Sequence, residues 1–137
     1  MACTNKKHIF SLICEKGMKK ENFLKFMENV VSLVDKKSYF LLDNASIHKS
    51  KIFKQFTKDN KINVVYNAPY HSETNPIENV FSIFRNKLNR NETKNLDNII
   101  KVTTDFALEN NENKFKNIFE KSVLNIEEFI KNNDKKL

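Results

Sequence analysis

Residues 67–85 read NAPYHSETNPIENVFSIFR, a stretch that changes from loop-forming to helix-forming residues at its centre. Pro69 and Pro76 exclude a helix between them, because proline lacks a backbone N–H and disfavours helical geometry in the residue before it. Asn75 is a good N-cap, Pro76 suits the first helical position, and Glu78 then stands third, where a carboxylate can bond back to the cap. The stretch therefore predicts a stiff loop followed by a helix with a carboxylate in its first turn.

The helix that begins at Pro76 is predicted to continue to about Asn89. Its apolar residues recur at the three-and-four spacing of one buried helix face. These residues are Ile77, Val80, Phe81, Phe84 and Leu88. Glu78 and Arg85 lie together on a neighbouring stripe, so the helix is expected to bury one face and to present these charged side chains beside it.

The composition indicates one globular domain. The chain has 137 residues, 39% of them hydrophobic and 12 of them Phe, which is enough for a packed core. One Gly and two Pro leave few tight hairpins, so helix should outweigh strand. Cys3 and Cys14 give no disulfide framework, and no apolar run approaches the roughly 18 residues of a membrane span. We therefore expect a soluble intracellular protein with no membrane partner.

The formal net charge of +7 is unevenly distributed along the chain. Residues 1–90 contain 16 Lys and Arg against 8 Asp and Glu, whereas residues 91–137 contain 8 against 9. A polyanion, with nucleic acid as the obvious candidate, is therefore expected to bind residues 1–90. Composition alone leaves an alternative open, since Lys and Asn are abundant throughout and lysines also serve simply to solvate a surface.

Strands and helices alternate along residues 8–90. The predicted strands are 8–14, 38–42 and 62–66, and the predicted helices are 20–34, 47–59 with Ile52, Phe53 and Phe56 inward, and 76–89. The run at 38–42 is nearly continuously apolar, as in a strand covered on both faces. Beyond residue 90 the pattern is wholly helical. This order predicts an α/β fold in which neighbouring strands are parallel.

Two acidic residues are expected to meet at one edge of this sheet. Ligands of parallel sheets bind at the carboxyl ends of the strands. Asp43 directly follows the strand at 38–42, and the loop that leads to Glu78 follows the strand at 62–66. Two carboxylates brought together repel each other unless a cation lies between them, and Mg²⁺ takes hard oxygen ligands of this kind. The sequence therefore predicts a metal site that acts on phosphodiesters.

Two motifs around these acids resemble a known family. Leu41–His48 (LLDNASIH) and Ala68–Phe81 (APYHSETNPIENVF) are similar to the second and third acidic motifs of mariner-superfamily transposases and their bacterial insertion-sequence relatives. The 34 residues between Asp43 and Glu78 match the spacing of one branch whose third acid is Glu. The resemblance implies an RNase H-like fold of the DDE integrase and transposase class, in which Asp43 and Glu78 are catalytic residues and ligands of Mg²⁺ or Mn²⁺. It covers roughly residues 8–125.

The chain also departs from that family. The family's first acid, an Asp on the opening strand of the sheet, has no counterpart, and the DNA-binding helices that read transposon ends are missing. The resemblance thus implies one truncated catalytic domain over residues 1–137, with a core at about 8–90 that lacks its first strands and extra helices at about 91–131. With two of three acids the chain is expected to be inactive alone. A non-catalytic nucleic-acid-binding module and a decaying transposon fragment are the alternatives.

The resemblance implies DNA as the partner, both transposon ends and target, allows a homo-oligomer and includes no small-molecule substrate. The candidate nucleic-acid contacts are His48, Lys49, Lys51, Arg85 and Lys87. Alternatively, His48 contacts the outer shell of the metal or is a solvated first-turn histidine, and Arg85 and Lys87 belong to a solvated helix face. Asn75 and Pro76 are expected to act as a structural cap. The expected compartment is the nucleus in a eukaryote and the cytoplasm in a prokaryote.

Overall fold

The computed structural model describes residues 1–67, 74–90, 95–109 and 112–134, so residues 68–73 of the predicted loop lie outside it. The described residues form five α-helices and two small sheets, which confirms a mixed α/β fold. The elements in chain order are β1 (Ala2–Cys3), β2 (His8–Phe10), α1 (Lys20–Ser32), β3 (Tyr39–Leu42), a 3-10 helix (Ser46–Lys49), α2 (Lys51–Asp59), β4 (Asn63–Tyr66), α3 (Pro76–Arg90), α4 (Leu96–Leu108) and α5 (Glu112–Asp134).

The chain divides into two compact units. The first contains Met1–Ala2 and Ile9–Ser72, and the second contains Cys3–His8 and Glu73–Leu137. The first unit therefore holds β3, β4 and the helices around them, whereas the second holds α3, α4 and α5. The predicted extent of a single catalytic domain stays a prediction.

The core of the first unit is aromatic and is built mainly by α1. The buried residues of α1 are Phe23, Phe26, Met27 and Val30, which share one helix face. Phe53 of α2 is 1% exposed, and its ring lies edge-on to that of Phe23 with 5.0 Å between the centroids. Side chains from the inner face of the β3–β4 pair close the other side, namely Phe40, Leu42 and Val64. The two helices thus pack together on one face of the sheet.

The pairing of β3 with β4 is parallel, as predicted, and Leu42 stands opposite Tyr66. Side chains of β3 alternate between the core and the exterior: Phe40 packs inward, whereas Tyr39 is 75% exposed and Leu41 is 38% exposed. The prediction that this strand is covered on both faces is therefore wrong in the described structure. A short apolar run does not reveal by itself how many of its faces are covered.

The predicted strand at 8–14 is shorter than expected and pairs with a different neighbour. β2 ends at Phe10 and pairs with β1 instead of joining the sheet of β3 and β4. The turn between β1 and β2 is closed by the Thr4 hydroxyl, which accepts hydrogen bonds from the N–H groups of Lys6 and Lys7 at 3.2 Å. β1 thereby pairs with some of the backbone hydrogen-bonding groups of β2. Among the described residues, β2 does not join β3 and β4 in a three-stranded sheet.

The second helix begins four residues later than predicted. Ser50 is extended at φ −63° and ψ 149°, and its hydroxyl accepts a hydrogen bond from the Phe53 N–H at 3.4 Å, so it caps α2. The preceding residues form the separate 3-10 helix. Ile52 is 45% exposed, so its predicted inward orientation is wrong, while that of Phe53 is confirmed.

The second unit is helical in its described part. α3 contacts both α4 and α5. Phe106 of α4 links the three helices, with its ring centroid 5.3 Å from that of Phe84 on α3 and 6.5 Å from that of Phe115 on α5. Val80 is fully buried on the predicted apolar face of α3. Among the described residues, no helix combines the length and hydropathy that crossing a bilayer requires.

Truncation of Phe53 tests the aromatic core. Because its side chain is 1% exposed, Phe53→Ala should lower the free energy of unfolding by about 3–5 kcal/mol. Ile52→Ala is the matched control on the same helix, since Ile52 is 45% exposed and its truncation should cost much less. Urea titration followed by circular dichroism measures both. Equal losses in the two variants would contradict the burial pattern of α2.

The reactivity of Cys3 tests the first strand. Burial raises the pKa of the Cys3 thiol from 9.0 to about 12. Because the thiolate is the nucleophile, iodoacetamide at pH 9 should alkylate Cys3 at least about 100-fold more slowly in the folded chain than in concentrated urea. Mass spectrometry of the tryptic peptides measures the rate. Alkylation of folded Cys3 at the urea rate would show that the thiol is not buried in solution.

Candidate active site at the carboxyl ends of the parallel strands

The carboxyl ends of β3 and β4 meet at one edge of their sheet. The Asn67 N–H donates to the Leu42 carbonyl at 2.8 Å, so the pairing continues one residue beyond β4. The Asn44 side chain adds a second connection, because its Nδ2 donates to the Asn67 carbonyl at 2.6 Å. The residues that follow the two strands are thereby held side by side, at the edge where parallel sheets bind ligands.

Asp43 is the first residue after β3 and is fixed through one carboxylate oxygen. Its Oδ1 accepts a hydrogen bond from the Ala45 N–H at 2.9 Å, which forms an Asx turn. The same oxygen lies 2.7 Å from Nδ1 of His48. The Asp43 side chain is 53% exposed, and its Oδ2 has no hydrogen-bond partner among the described residues. Within the part of the chain that the structure describes, one carboxylate oxygen is therefore engaged and the other is not.

His48 is held against the core instead of being solvated. Its side chain is 15% exposed, and its ring centroid lies 4.5 Å from that of Phe23. The interpretation of His48 as a solvated first-turn histidine is therefore wrong. The physical reason is the 3-10 helix Ser46–Lys49, which turns the ring back toward Asp43 and α1. A contact between His48 and nucleic acid stays a prediction.

Tyr66 is a member of this site that sequence reasoning missed. Its hydroxyl donates to the His48 carbonyl at 2.7 Å, and the Lys49 ammonium lies 5.4 Å from the centroid of its ring. The parallel pairing of the strands could have indicated Tyr66. The last residue of one parallel strand lies beside the segment that follows the neighbouring strand. We refer to the whole group as the strand-end cluster, which comprises Asp43, Asn44, His48, Lys49, Tyr66 and Asn67.

Glu78 lies in the first turn of α3, in the second unit. The helix begins at Pro76, and the Asn75 side-chain oxygen accepts a hydrogen bond from the Ile77 N–H at 3.4 Å. Asn75 and Pro76 are buried, whereas Glu78 is exposed. The Glu78 carboxylate bonds to no described residue, so the reciprocal bond of a capping box is not formed. The convergence of Glu78 with Asp43 stays a prediction.

The predicted basic contacts differ in how accessible they are. Three of them are exposed, namely Lys49, Lys51 and Arg85. Lys87 instead forms an ion pair with Glu109, and its ammonium lies 5.9 Å from the centroid of the Phe106 ring. A phosphate would have to compete with Glu109 for Lys87. Lys87 is therefore the weakest of the four cationic candidates.

The donors of Asp43 and Glu78 are of the type that hard cations prefer. Mg²⁺ and Mn²⁺ bind carboxylate oxygens and keep water or phosphate oxygens in their other positions. Asp43 offers Oδ2, and Glu78 offers an exposed carboxylate. Within the described ranges, no three His, Cys, Asp or Glu side chains come close enough together to hold a metal ion. The oxygen donors of Asp43 and Glu78 are each of the chemical type that a divalent cation takes.

Comparison with known proteins identifies a family for most of the chain. A family model described as DDE superfamily endonuclease matches residues 1–100. No curated protein matches the chain. The matched segment includes Asp43, Glu78 and the whole strand-end cluster, and it ends inside α4. The similarity therefore covers both predicted metal ligands but not α5.

Proposed function

Since the chain belongs to the DDE superfamily of endonucleases, we propose that it is a transposase-derived nuclease domain in which Asp43 and Glu78 bind a divalent metal ion. The observation that carries the proposal is the position of Asp43 at the carboxyl end of β3, with Oδ1 engaged and Oδ2 open. The mariner-like spacing of Asp43 and Glu78 supports a branch of the superfamily with an RNase H-like core.

Each residue of the proposed site has a distinct role. Asp43 and Glu78 hold the cation, which is Mg²⁺ or Mn²⁺ and supplies charge stabilisation at a phosphodiester when bound. Lys49 and Lys51 follow Asp43 closely in the chain and bind the phosphates that flank the reacting one. Arg85 does the same from α3. His48 contacts Asp43 directly, so its contribution is exerted through that carboxylate.

We further propose that this polypeptide does not cleave DNA efficiently by itself. A site that handles both the attacking and the leaving oxygen needs a full set of metal ligands. β2 carries no carboxylate, and the acidic residues between β2 and β3 are Glu15, Glu21, Glu28 and Asp35, which fall outside both strands. A third acid from another source, such as a second copy of the chain, would complete the set. Action on DNA would place the chain in the nucleus of a eukaryote or the cytoplasm of a prokaryote.

Metal binding at Asp43 is the direct test of this function. Mn²⁺ should broaden the NMR signals of the Asp43 and Ala45 amides, and Asp43→Ala should abolish the effect because it removes the ligand oxygen. Asp59→Ala is the matched control, since Asp59 is an exposed carboxylate at the end of α2. Broadening that survives in Asp43→Ala would contradict the assigned metal site.

Incubation of the same variants with supercoiled DNA and Mn²⁺ tests the proposed inactivity. We expect no more nicking by the wild-type chain than by Asp43→Ala. Efficient cleavage that depends on Asp43 would show that two acids suffice or that a second copy supplies the third.

A second candidate function is a non-catalytic nucleic-acid-binding module. The observation that favours it is the positive net charge of residues 1–90, which contain 16 Lys and Arg residues and 8 Asp and Glu residues. Near Asp43, the Lys49 ammonium lies 5.4 Å from the centroid of the Tyr66 ring, which is within the range of a cation–π contact. Such a surface binds phosphates without base contacts, so affinity would be independent of sequence and steeply dependent on salt.

Paired charge removals test this binding surface. The double change Lys49→Gln and Lys51→Gln should reduce the slope of log affinity against log salt by about two units, one for each lost phosphate contact. Lys36→Gln with Lys37→Gln is the matched control, because these lysines precede β3 and lie at the opposite end of the strand. Fluorescence anisotropy with a labelled duplex measures the slope. Equal effects of the two pairs would contradict a phosphate site near Asp43.

A further inference from the structure

The surroundings of His48 Nδ1 favour a proton on this atom. This atom lies 2.7 Å from Oδ1 of Asp43 and 3.3 Å from the Asp43 backbone carbonyl. Both neighbours are acceptors, and a ring nitrogen without a proton is also an acceptor. Only the Nδ1–H form makes these contacts favourable, whether the ring is neutral or charged. The contacts thus favour one tautomer, whose N–H lies within reach of both the Oδ1 and the backbone carbonyl of Asp43.

Of the two partners, His48 is the more firmly held. Its side chain is 15% exposed and packs on Phe23, and its carbonyl accepts the Tyr66 hydroxyl at 2.7 Å. Asp43 is 53% exposed, and its other attachment is the local bond from the Ala45 N–H. An exposed bond of that kind contributes little, because water competes for the same atoms. The orientation of the carboxylate therefore depends on His48.

We propose that His48 is the positioning residue of Asp43, which occupies Oδ1 so that Oδ2 alone is presented to a cation. The part that concerns the cation rests on the proposed function, whereas the orientation of Asp43 does not. Because Oδ1 accepts from the Ala45 N–H and contacts His48 Nδ1, Asp43 would hold a metal through Oδ2. Groups that hydrogen-bond to a metal ligand in this way fix its geometry and tune its affinity.

Two substitutions separate this role from simple packing. His48→Phe keeps an aromatic ring against Phe23 but has no N–H to donate. His48→Asn loses the ring, yet its Nδ2 stands where the Nδ1 of histidine stood and can donate to Asp43. A packing role predicts that Phe is tolerated and Asn is not. A positioning role predicts instead that His48→Asn preserves the orientation and the metal affinity of the Asp43 carboxylate, whereas His48→Phe does not.

NMR of the metal-free chain decides the proposal. Long-range ¹H–¹⁵N spectra should show His48 in the Nδ1–H form, and the Hα–Hβ couplings of Asp43 should indicate a single χ1 rotamer. His48→Asn should keep that rotamer, whereas His48→Phe should give averaged couplings with the amide spectrum of the core unchanged. An Nε2–H tautomer in the wild-type chain, or a single Asp43 rotamer in His48→Phe, would overturn the proposal.

Titration of the same three proteins with Mn²⁺ then extends the test to the metal. His48→Phe should weaken Mn²⁺ binding by about 10- to 100-fold, and His48→Asn should remain close to wild type. Equal affinity in wild type and His48→Phe would overturn the positioning role. Absence of Mn²⁺ binding to the wild-type chain would contradict the proposed function, while the Asp43 couplings in the metal-free chain still decide the role of His48.

Discussion

The ring of Phe23 joins the core of the first unit to the strand-end cluster. It is 4% exposed, and its centroid lies 5.0 Å from that of Phe53 and 4.5 Å from that of His48. Aromatic pairs at these separations contribute to stability beyond the effect of the area they bury. In a closely packed core, the displacement of one ring also displaces the ring next to it. The same side chain that closes the core therefore supports the histidine that contacts Asp43. Stability and site geometry are consequently linked in this unit.

The sequence was sufficient for the helices, the parallel strands and the end of the strand that carries Asp43, because each depends on local residue pattern. It failed where a single hydrogen bond decided the outcome. The apolar spacing placed both Ile52 and Phe53 inward, but the Ser50 cap starts α2 at Lys51 and leaves Ile52 exposed. Likewise, the pairing of β2 depends on the turn at Thr4, whose hydroxyl bonds have no periodic signature.

The candidate site was predictable to a similar degree. Asp43 and Glu78 are predicted as metal ligands from motif spacing, and His48 is predicted as a site residue, but the contacts around Asp43 are not predicted. His48 is five residues away in sequence and Tyr66 is 23 residues away, and both reach the cluster because of the 3-10 helix and the strand register. The contacts that these two residues make become visible only when the backbone geometry is known. Motif analysis therefore predicts candidate ligands more readily than it predicts the residues that contact them.

The exposed face of the β3–β4 pair has a consequence for how the protein behaves in solution. Tyr39, Leu41 and Val65 are exposed on one face of a sheet in a chain of net charge +7. Repulsion between two positively charged protein molecules opposes contact between their apolar faces at low ionic strength. Added salt screens that repulsion and also weakens attraction to DNA, but it does not weaken apolar contact. We therefore expect added salt to weaken the proposed binding of a polyanion and to favour contact between these apolar faces.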